Sequence, residues 1–250
     1  MRRLAIVLSG LSLLVGGCSS SSQVGADAVP PVPPPGRPLT YVAIGASESF
    51  GIGAVDPTRD AWPQVFYRMA LPRAATLIDL GIPGATVAAA LQAEAPTAER
   101  LHPDLVTVWL NVNDIIQRVP TAVFESELGA LVREVRSGGA EVLVANTPPL
   151  DRTPRLLQCQ PYAPAANGCD RSRRLPISSV IRVVNAYNEA IARVARETGA
   201  TVVDLHAWGE RIDRSGDPAR FIGSDGFHPS TYGYRQIADV FAEAYRAAGR

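Results

Sequence analysis

The chain alternates short, uninterrupted apolar runs with segments of helical periodicity, and this alternation restricts its fold more than any other feature. Five runs rich in Val, Ile and Leu predict strands at 41–44, 76–80, 105–110, 141–145 and 201–205. Continuous apolar character is typical of a parallel strand that is covered on both faces. With helical segments between the strands, the pattern predicts right-handed crossovers and a three-layer α/β/α sandwich around a central parallel sheet.

The helical segments carry apolar residues on one face and end at glycines. Helices are predicted over 124–135 and 177–194, with a weaker pattern over 87–101. Ser230 is expected to cap a final helix that extends to about residue 248. Hydrophobic residues make up 46% of the 250 residues, which is enough for a sizeable core. We therefore expect one globular domain over residues 39–250.

The N-terminus carries the pattern of an export signal. Two arginines are followed by an apolar run over 4–15 and then by Gly16-Gly17-Cys18. The run is shorter than the roughly 20 residues of a membrane-spanning helix and is typical of a signal peptide. Residues 15–18 also resemble a bacterial lipobox, which predicts a signal peptide over 1–17, lipidation of Cys18 and a Ser/Pro-rich tether over 18–38. The alternative is cleavage after residues 26–28 and release as a secreted protein. Both alternatives predict an extracytoplasmic location.

Cys159 and Cys169 are expected to form a disulfide, because such bonds are stable outside the cytoplasm. A metal site is the weaker alternative, since no CxxC motif or histidine cluster accompanies the two cysteines. The formal net charge is 0, and no basic cluster runs along the chain. We therefore expect no nucleic-acid partner and contact with a membrane only through the lipid anchor. The domain is expected to be a monomer.

Four segments place polar residues beside glycines at strand ends or before the last helix. Ser47 follows the first predicted strand, Gly84 the second and Asn113 the third, while Asp225 and His228 precede the final helix. Taken singly, Ser47 and Asn113 can be interpreted as ordinary turn or cap residues, and Gly84 as the glycine of a tight turn. Asp225 and His228 lie three residues apart in a turn marked by Gly and Pro. An acid and an imidazole so placed can hydrogen-bond, as a general base requires.

In this order and placement, the four segments resemble the GDSL/SGNH hydrolase family of serine esterases and lipases, over residues 39–250. The matching segments are Gly45-Ala46-Ser47, the turn from Gly81 through Gly84 to Thr86, Asn113-Asp114, and Asp225-Gly226-Phe227-His228-Pro229.

The resemblance implies a flavodoxin-like, five-stranded parallel sheet and a serine esterase that forms an acyl-enzyme without cofactor or metal. Ser47 would be the nucleophile, His228 the general base and Asp225 the acid that orients it. The Ser47 and Gly84 N–H groups and the Asn113 amide would form the oxyanion hole. The expected substrates are small-molecule, lipid or glycan esters of acyl or acetyl groups.

Two positions depart from the family pattern. Ala46 stands where the family usually has Asp, and Asn111 stands where it usually has Gly. We expect these departures to alter loop support and pocket shape without removing the chemistry. They also keep open a second hypothesis, a catalytically silent lipoprotein of this fold that binds cell-envelope glycan or lipid.

Other arrangements are less favoured. The α/β-hydrolase elbow requires G-x-S-x-G, and Ser49 occupies the last of these positions. Asp204 and His206 form a rival acid–base pair, for which a structural role is the preferred interpretation. A metal site built from these two residues with Asp225 and His228 lacks helical HxxxH spacing. Eight residues are candidates either for an apolar acyl pocket or for ordinary core and loop contacts: Ile52, Val55, Trp62, Phe66, Ile115, Ile116, Leu156 and Leu157.

Overall fold

The computed structural model describes residues 36, 38–158, 176–213 and 218–249. Its strands are β1 (Leu39–Gly45), β2 (Ala75–Asp79), β3 (Leu105–Trp109), β4 (Glu141–Ala145) and β5 (Thr201–Val203). They pair in parallel, in the order β2-β1-β3-β4-β5. This confirms the predicted fold class, a three-layer α/β/α sandwich with a flavodoxin-like sheet.

Helices connect the strands and cover both faces of the sheet. They are α1 (Ser47–Phe50), α2 (Pro57–Asp60), α3 (Trp62–Ala70), α4 (Val87–Ala93), α5 (Ala95–Arg100), α6 (Val112–Ile116), α7 (Thr121–Arg136), α8 (Pro154–Gln158), α9 (Ile177–Thr198), α10 (Leu205–Asp213) and α11 (Thr231–Ala247). Short 3-10 turns lie at Leu150–Arg152 and Pro218–Phe221. The Ser230 hydroxyl accepts the Gly233 N–H at 3.0 Å, so the predicted cap of the last helix is present.

Successive strand residues enter two separate cores. Val42, Val106 and Val142 pack against the helix layer of α4, α5, α7 and α9. Tyr41, Leu105 and Leu143 point to the other face and pack among residues of α3 and α11. Because helices cover both faces of the sheet, the strand residues do not have to alternate between apolar and polar. The continuous apolar runs of the sequence have this origin.

The segment predicted as one weak helix over 87–101 is two short helices that meet at Glu94. Pro96 explains the break, since proline has no N–H to donate and its ring collides with the carbonyl four residues earlier. The Thr97 and Ala98 N–H groups both bond to the Glu94 carbonyl, which restarts the helix as α5. The side chain of Glu94, at the junction of the two helices, is buried and 2% exposed.

The predicted signal peptide, Cys18 and the tether over 18–38 lie almost entirely outside the described residues, as do Cys159 and Cys169. Among the helices of the described ranges, none combines the length and apolar character needed to cross a membrane.

Candidate active site

Ser47 lies at the carboxyl edge of the sheet, in the first turn of α1 directly after β1. The Phe50 N–H donates to the Ala46 carbonyl at 3.0 Å and closes this turn. Gly45 has to be glycine, because a Cβ there would lie 2.0 Å from Ser49 Oγ. The turn thus presents the Ser47 hydroxyl and its backbone N–H at the sheet edge where ligands bind in such folds.

Two carboxyl groups bond to backbone N–H groups here, Glu94 beside the Ser47 turn and Asp79 in the turn after β2. The Gly45 N–H donates to Glu94 Oε2 at 2.9 Å, and the Gly81 N–H donates to Asp79 Oδ1 at 3.0 Å. Burial raises the pKa of Glu94 to about 8, and the nearby Asp79 adds to the rise. Burial also raises the pKa of Asp79 to about 6. Glu94 therefore keeps its proton near neutral pH while it supports the backbone of the Ser47 turn.

The Ser47 hydroxyl donates to Glu48 Oε2 at 3.2 Å. Glu48 is 6% exposed, and burial raises the pKa of its carboxyl. Its own backbone N–H, His228 and the Ser47 hydroxyl oppose that rise, so Glu48 lies within electrostatic reach of His228. Sequence reasoning assigned no role to Glu48, because a glutamate in a helix usually lies at the surface. In this conformation the Ser47 hydroxyl must turn from Glu48 before it can give a proton to His228.

Asp225 and His228 are hydrogen-bonded, with 2.5 Å between Asp225 Oδ2 and His228 Nδ1. Asp225 Oδ1 accepts the backbone N–H groups of Phe227 and His228 at 2.9 and 3.0 Å. Burial disfavours ionisation of Asp225, but the bonds from the His228 ring and these two N–H groups outweigh it and lower the pKa of Asp225. The loop packs closely on Gly53, where a Cβ would lie 3.1 Å from His228 Cβ.

The second and third polar segments are linked to each other. Asn113 Nδ2 donates to the Ala85 carbonyl at 3.0 Å, directly after Gly84. An amide nitrogen carries two donors, so this bond leaves capacity for one more acceptor. The backbone of Gly84 has φ +86, a conformation that residues other than glycine rarely adopt. Both carboxylate oxygens of Asp114 accept the Val87 N–H at 3.2 Å, which ties α6 to the start of α4.

Asp204 and His206, the rival acid–base pair, form hydrogen bonds with structural roles. Asp204 Oδ1 accepts the Ala207 N–H at 2.9 Å and the Asn146 amide at 2.8 Å. His206 Nδ1 lies 3.0 Å from the Thr147 carbonyl oxygen. Asp204 thus caps α10, and His206 fixes the segment after β4. Among the described residues, no group of three or more His, Cys, Asp or Glu side chains is arranged to hold a metal ion.

A cavity of about 100 Å³ adjoins the Ser47 turn and is bounded by Glu48. Most of its other walls are apolar or aromatic, with Trp109 at the end of β3, Trp208 on α10 and Phe227 beside His228. None of the eight sequence candidates for a pocket lines it. Trp62 and Phe66 are fully buried core residues, and Val55 is 88% exposed. For Trp62 and Phe66 this favours the alternative of ordinary core contacts.

A sequence model described as the GDSL-like Lipase/Acylhydrolase family matches residues 43–236, well over half of the chain. The chain belongs to this family. Membership identifies it as a serine ester hydrolase, and the four polar segments described above lie within the matched range. No curated protein matches the chain at a significant level.

Several solved structures, two of them described as esterases, share the fold of this GDSL-like hydrolase. The structure of TesA is 18% identical, with a TM-score of 0.62, and the match covers 82% of this chain and 97% of that one. EstA, a psychrotrophic esterase from Pseudoalteromonas sp. inhibited by monoethylphosphonate, is 18% identical with a TM-score of 0.60. That match covers 84% of this chain and 97% of EstA. The acetyl xylan esterase AlAXEase is 17% identical with a TM-score of 0.61, and the match covers 82% of this chain and 99% of AlAXEase. At these identities the likeness establishes the fold alone.

The two departures from the family pattern have defined surroundings in this hydrolase. Ala46 is buried in the apolar cluster on the side of α4 and α7, and the neighbouring Gly45 N–H is held by Glu94. Asn111 is buried too, and its amide donates to the Ala145 carbonyl at 3.3 Å. The Ala46 side chain therefore adds no hydrogen bond to the Ser47 turn, whereas the Asn111 side chain links the segment after β3 to β4.

Proposed function

We propose that this hydrolase cleaves carboxylic esters of acyl or acetyl groups in two steps, through an acyl-enzyme on Ser47. The observation that carries the proposal is the hydrogen-bonded Asp225–His228 pair beside the Ser47 turn. A serine hydroxyl is a poor nucleophile until a base takes its proton. An acid bonded to one imidazole nitrogen keeps the other nitrogen available as that base.

In the first step, Ser47 Oγ attacks the ester carbonyl carbon while His228 takes the hydroxyl proton. The carbonyl oxygen becomes an oxyanion, which would accept hydrogen bonds from the Ser47 and Gly84 N–H groups and the Asn113 amide. When the tetrahedral intermediate collapses, the bond to the alcohol oxygen breaks and His228 protonates that oxygen. In the second step, water attacks the acyl group, His228 takes its proton, and the acid leaves as Ser47 regains its hydroxyl.

The mechanism is tested by activity and labelling together. We expect the wild type to hydrolyse p-nitrophenyl butyrate and to react with a fluorophosphonate probe, while Ser47→Ala loses both. The loss in kcat should reach roughly 10³-fold or more, because the members of such a triad act as a unit. A wild type that neither turns over esters nor labels better than Ser47→Ala would instead support the binding hypothesis.

We also propose that the domain over 39–250 works outside the cytoplasm, anchored through a lipid on Cys18. The support is the N-terminal sequence: two arginines, a short apolar run, a lipobox-like end at Cys18 and the Ser/Pro-rich tether. Metabolic labelling with an alkyne fatty acid should mark the wild type and leave Cys18→Ala unmarked. Equal labelling of both proteins would contradict the anchor. Labelling of neither, with the protein in the culture medium, would favour secretion after residues 26–28.

The disulfide between Cys159 and Cys169 is part of the same proposal, because it requires an oxidising compartment. Non-reducing peptide mapping of the exported protein should recover the two cysteines in one linked peptide. Two free thiols in that protein would contradict it.

A further inference from the structure

The cavity beside the Ser47 turn is small, and four aromatic side chains contribute to its wall. Its volume is about 100 Å³, and Trp109, Trp208, Phe221 and Phe227 all line it. An apolar cavity of about 150 Å³ holds a benzene molecule, so the present one suits a compact group better than a long chain.

The acidic and the basic side chain at the cavity differ in how far neighbouring groups neutralise their charge. Among the described residues that line it, Glu48 and Arg152 carry charged side chains. Arg152 bonds to Glu210 at 2.8 Å and lies 3.7 Å from Asp151, so its positive charge is matched by two carboxylates. The groups that donate to Glu48, the Ser47 hydroxyl and its own backbone N–H, are neutral. When ionised, Glu48 places a negative charge on the cavity wall, with His228 within electrostatic reach.

The position of His228 indicates which part of the ester enters the cavity. Phe227 and Pro229, on either side of His228 in the sequence, both line it. In the proposed mechanism His228 protonates the departing alcohol, so the alcohol lies on the His228 side of Ser47. Gly84 and Asn113, the proposed oxyanion donors, are not among the lining residues.

We propose that the alcohol part of the substrate carries a compact cationic group, a quaternary ammonium or a protonated amine, bound by Glu48 and the surrounding aromatic rings. Aromatic faces attract cations, and the attraction strengthens when the cation is removed from water. A cation next to Glu48 also favours the carboxylate form, which burial alone disfavours. The inference rests on the proposed ester hydrolysis and specifies its substrate class.

Two esters of matched shape test the inference. Butyrylcholine and 3,3-dimethylbutyl butyrate differ in the charged nitrogen that replaces a carbon, and a pH-stat follows the acid released from either. The wild type should prefer butyrylcholine in kcat/KM by about tenfold or more, as expected for a desolvated cation–π contact. Glu48→Gln, which keeps the shape and removes the charge, should bring the ratio close to one. Glu189→Gln, an exposed acid on α9, should keep the wild-type ratio.

Trp208→Leu provides a second variant if Glu48→Gln proves unstable by circular dichroism. It removes one aromatic wall and should reduce the preference several-fold. A wild type that hydrolyses both esters equally, or a Glu48→Gln ratio that equals the wild-type ratio, would overturn the inference and leave the proposed function intact. A wild type that hydrolyses neither these esters nor p-nitrophenyl butyrate would count against the proposed function itself.

Discussion

At the residue scale, single side chains in this site serve more than one purpose. Asn113 is the clearest case, because its amide binds the Ala85 carbonyl and is also the proposed oxyanion donor. Glu94 is another, since it supports the Gly45 N–H and keeps a buried carboxyl group near the catalytic turn. Neither contact follows from the local sequence, because the partners lie 28 and 49 positions apart.

Asn113→Ala should lower kcat by about 10²–10³-fold, the effect of removing one oxyanion donor. The lost bond to Ala85 should lower the free energy of unfolding by only about 1 kcal/mol. Steady-state kinetics with p-nitrophenyl butyrate and urea denaturation measure the two effects separately. Asn185→Ala, at an exposed position of α9, is the matched control and should change neither. An unchanged kcat in Asn113→Ala would remove Asn113 from the oxyanion hole.

At the element scale, the loop that carries Asp225 and His228 is fixed at both ends and from one side. An isolated bridge pairs Ile222 with Pro229, and the Gly223 N–H donates to the His228 carbonyl at 2.7 Å. The Arg155 N–H at the start of α8 donates to the Gly226 carbonyl at 2.9 Å. The geometry of the acid–base pair therefore depends on α8 as well as on its own turn.

Gly226→Ala tests this dependence. Gly226 has φ +73, and a Cβ there would lie 3.2 Å from the Arg155 nitrogen. We expect a loss of about 1–2 kcal/mol in unfolding free energy from backbone strain. We also expect a fall in kcat, because the displaced loop carries His228.

Gly138→Ala is the control for Gly226→Ala, since a Cβ at Gly138 meets nothing within 4 Å and its φ is not positive. It should leave kcat and urea denaturation close to wild type. If Gly226→Ala behaves like this control, the loop is not held as described.

Among the elements, the strands and the last helix cap could be predicted from the sequence, whereas the cavity could not. The strands were predictable because each is a continuous apolar run, and Ser230 was predictable as a cap because capping is a local effect. The cavity was not predictable, since its walls come from distant elements such as α1, β3, α10 and the turn before His228. Trp62 and Phe66 were indistinguishable from pocket residues, because apolar side chains line cores and pockets alike.

At the scale of the whole molecule, the strand order explains where the site lies. β1 has β2 on one side and β3 on the other, so successive connections from β1 and β2 run in opposite directions across the sheet. Such a switch point opens a crevice at the carboxyl ends of the strands. Ser47 follows β1 and Asn113 follows β3, which places both residues at this crevice.

The buried carboxyls also give the whole domain a pH dependence. The pKa of Glu94 is raised to about 8, so the folded state keeps a proton that the unfolded chain releases near its ordinary pKa of 4.5. Its contribution to stability is complete below that ordinary pKa and is lost as pH rises towards 8, by at most about 1.4 kcal/mol per pH unit. Asp79 and Asp114, each with a pKa of about 6, add a similar decline over a lower range.

Glu94→Gln should therefore flatten the decline of unfolding free energy between pH 6 and 8, while the decline below about pH 6 remains. Urea denaturation across this range measures it. The amide still accepts the Gly45 N–H, so kcat at pH 7 should stay within a few-fold of wild type. A decline in the variant as steep as in the wild type would show that Glu94 is ionised in the folded state.

Ester hydrolysis through an acyl group on Ser47 is tested most directly by acid-quench mass spectrometry. The wild type is mixed with p-nitrophenyl butyrate, quenched within the first turnovers and digested. We predict that the peptide containing Ser47 gains the mass of one butyryl group and that Ser47→Ala shows neither the adduct nor turnover. Full turnover with the acyl group on another residue, or in the Ser47→Ala variant, would contradict the account.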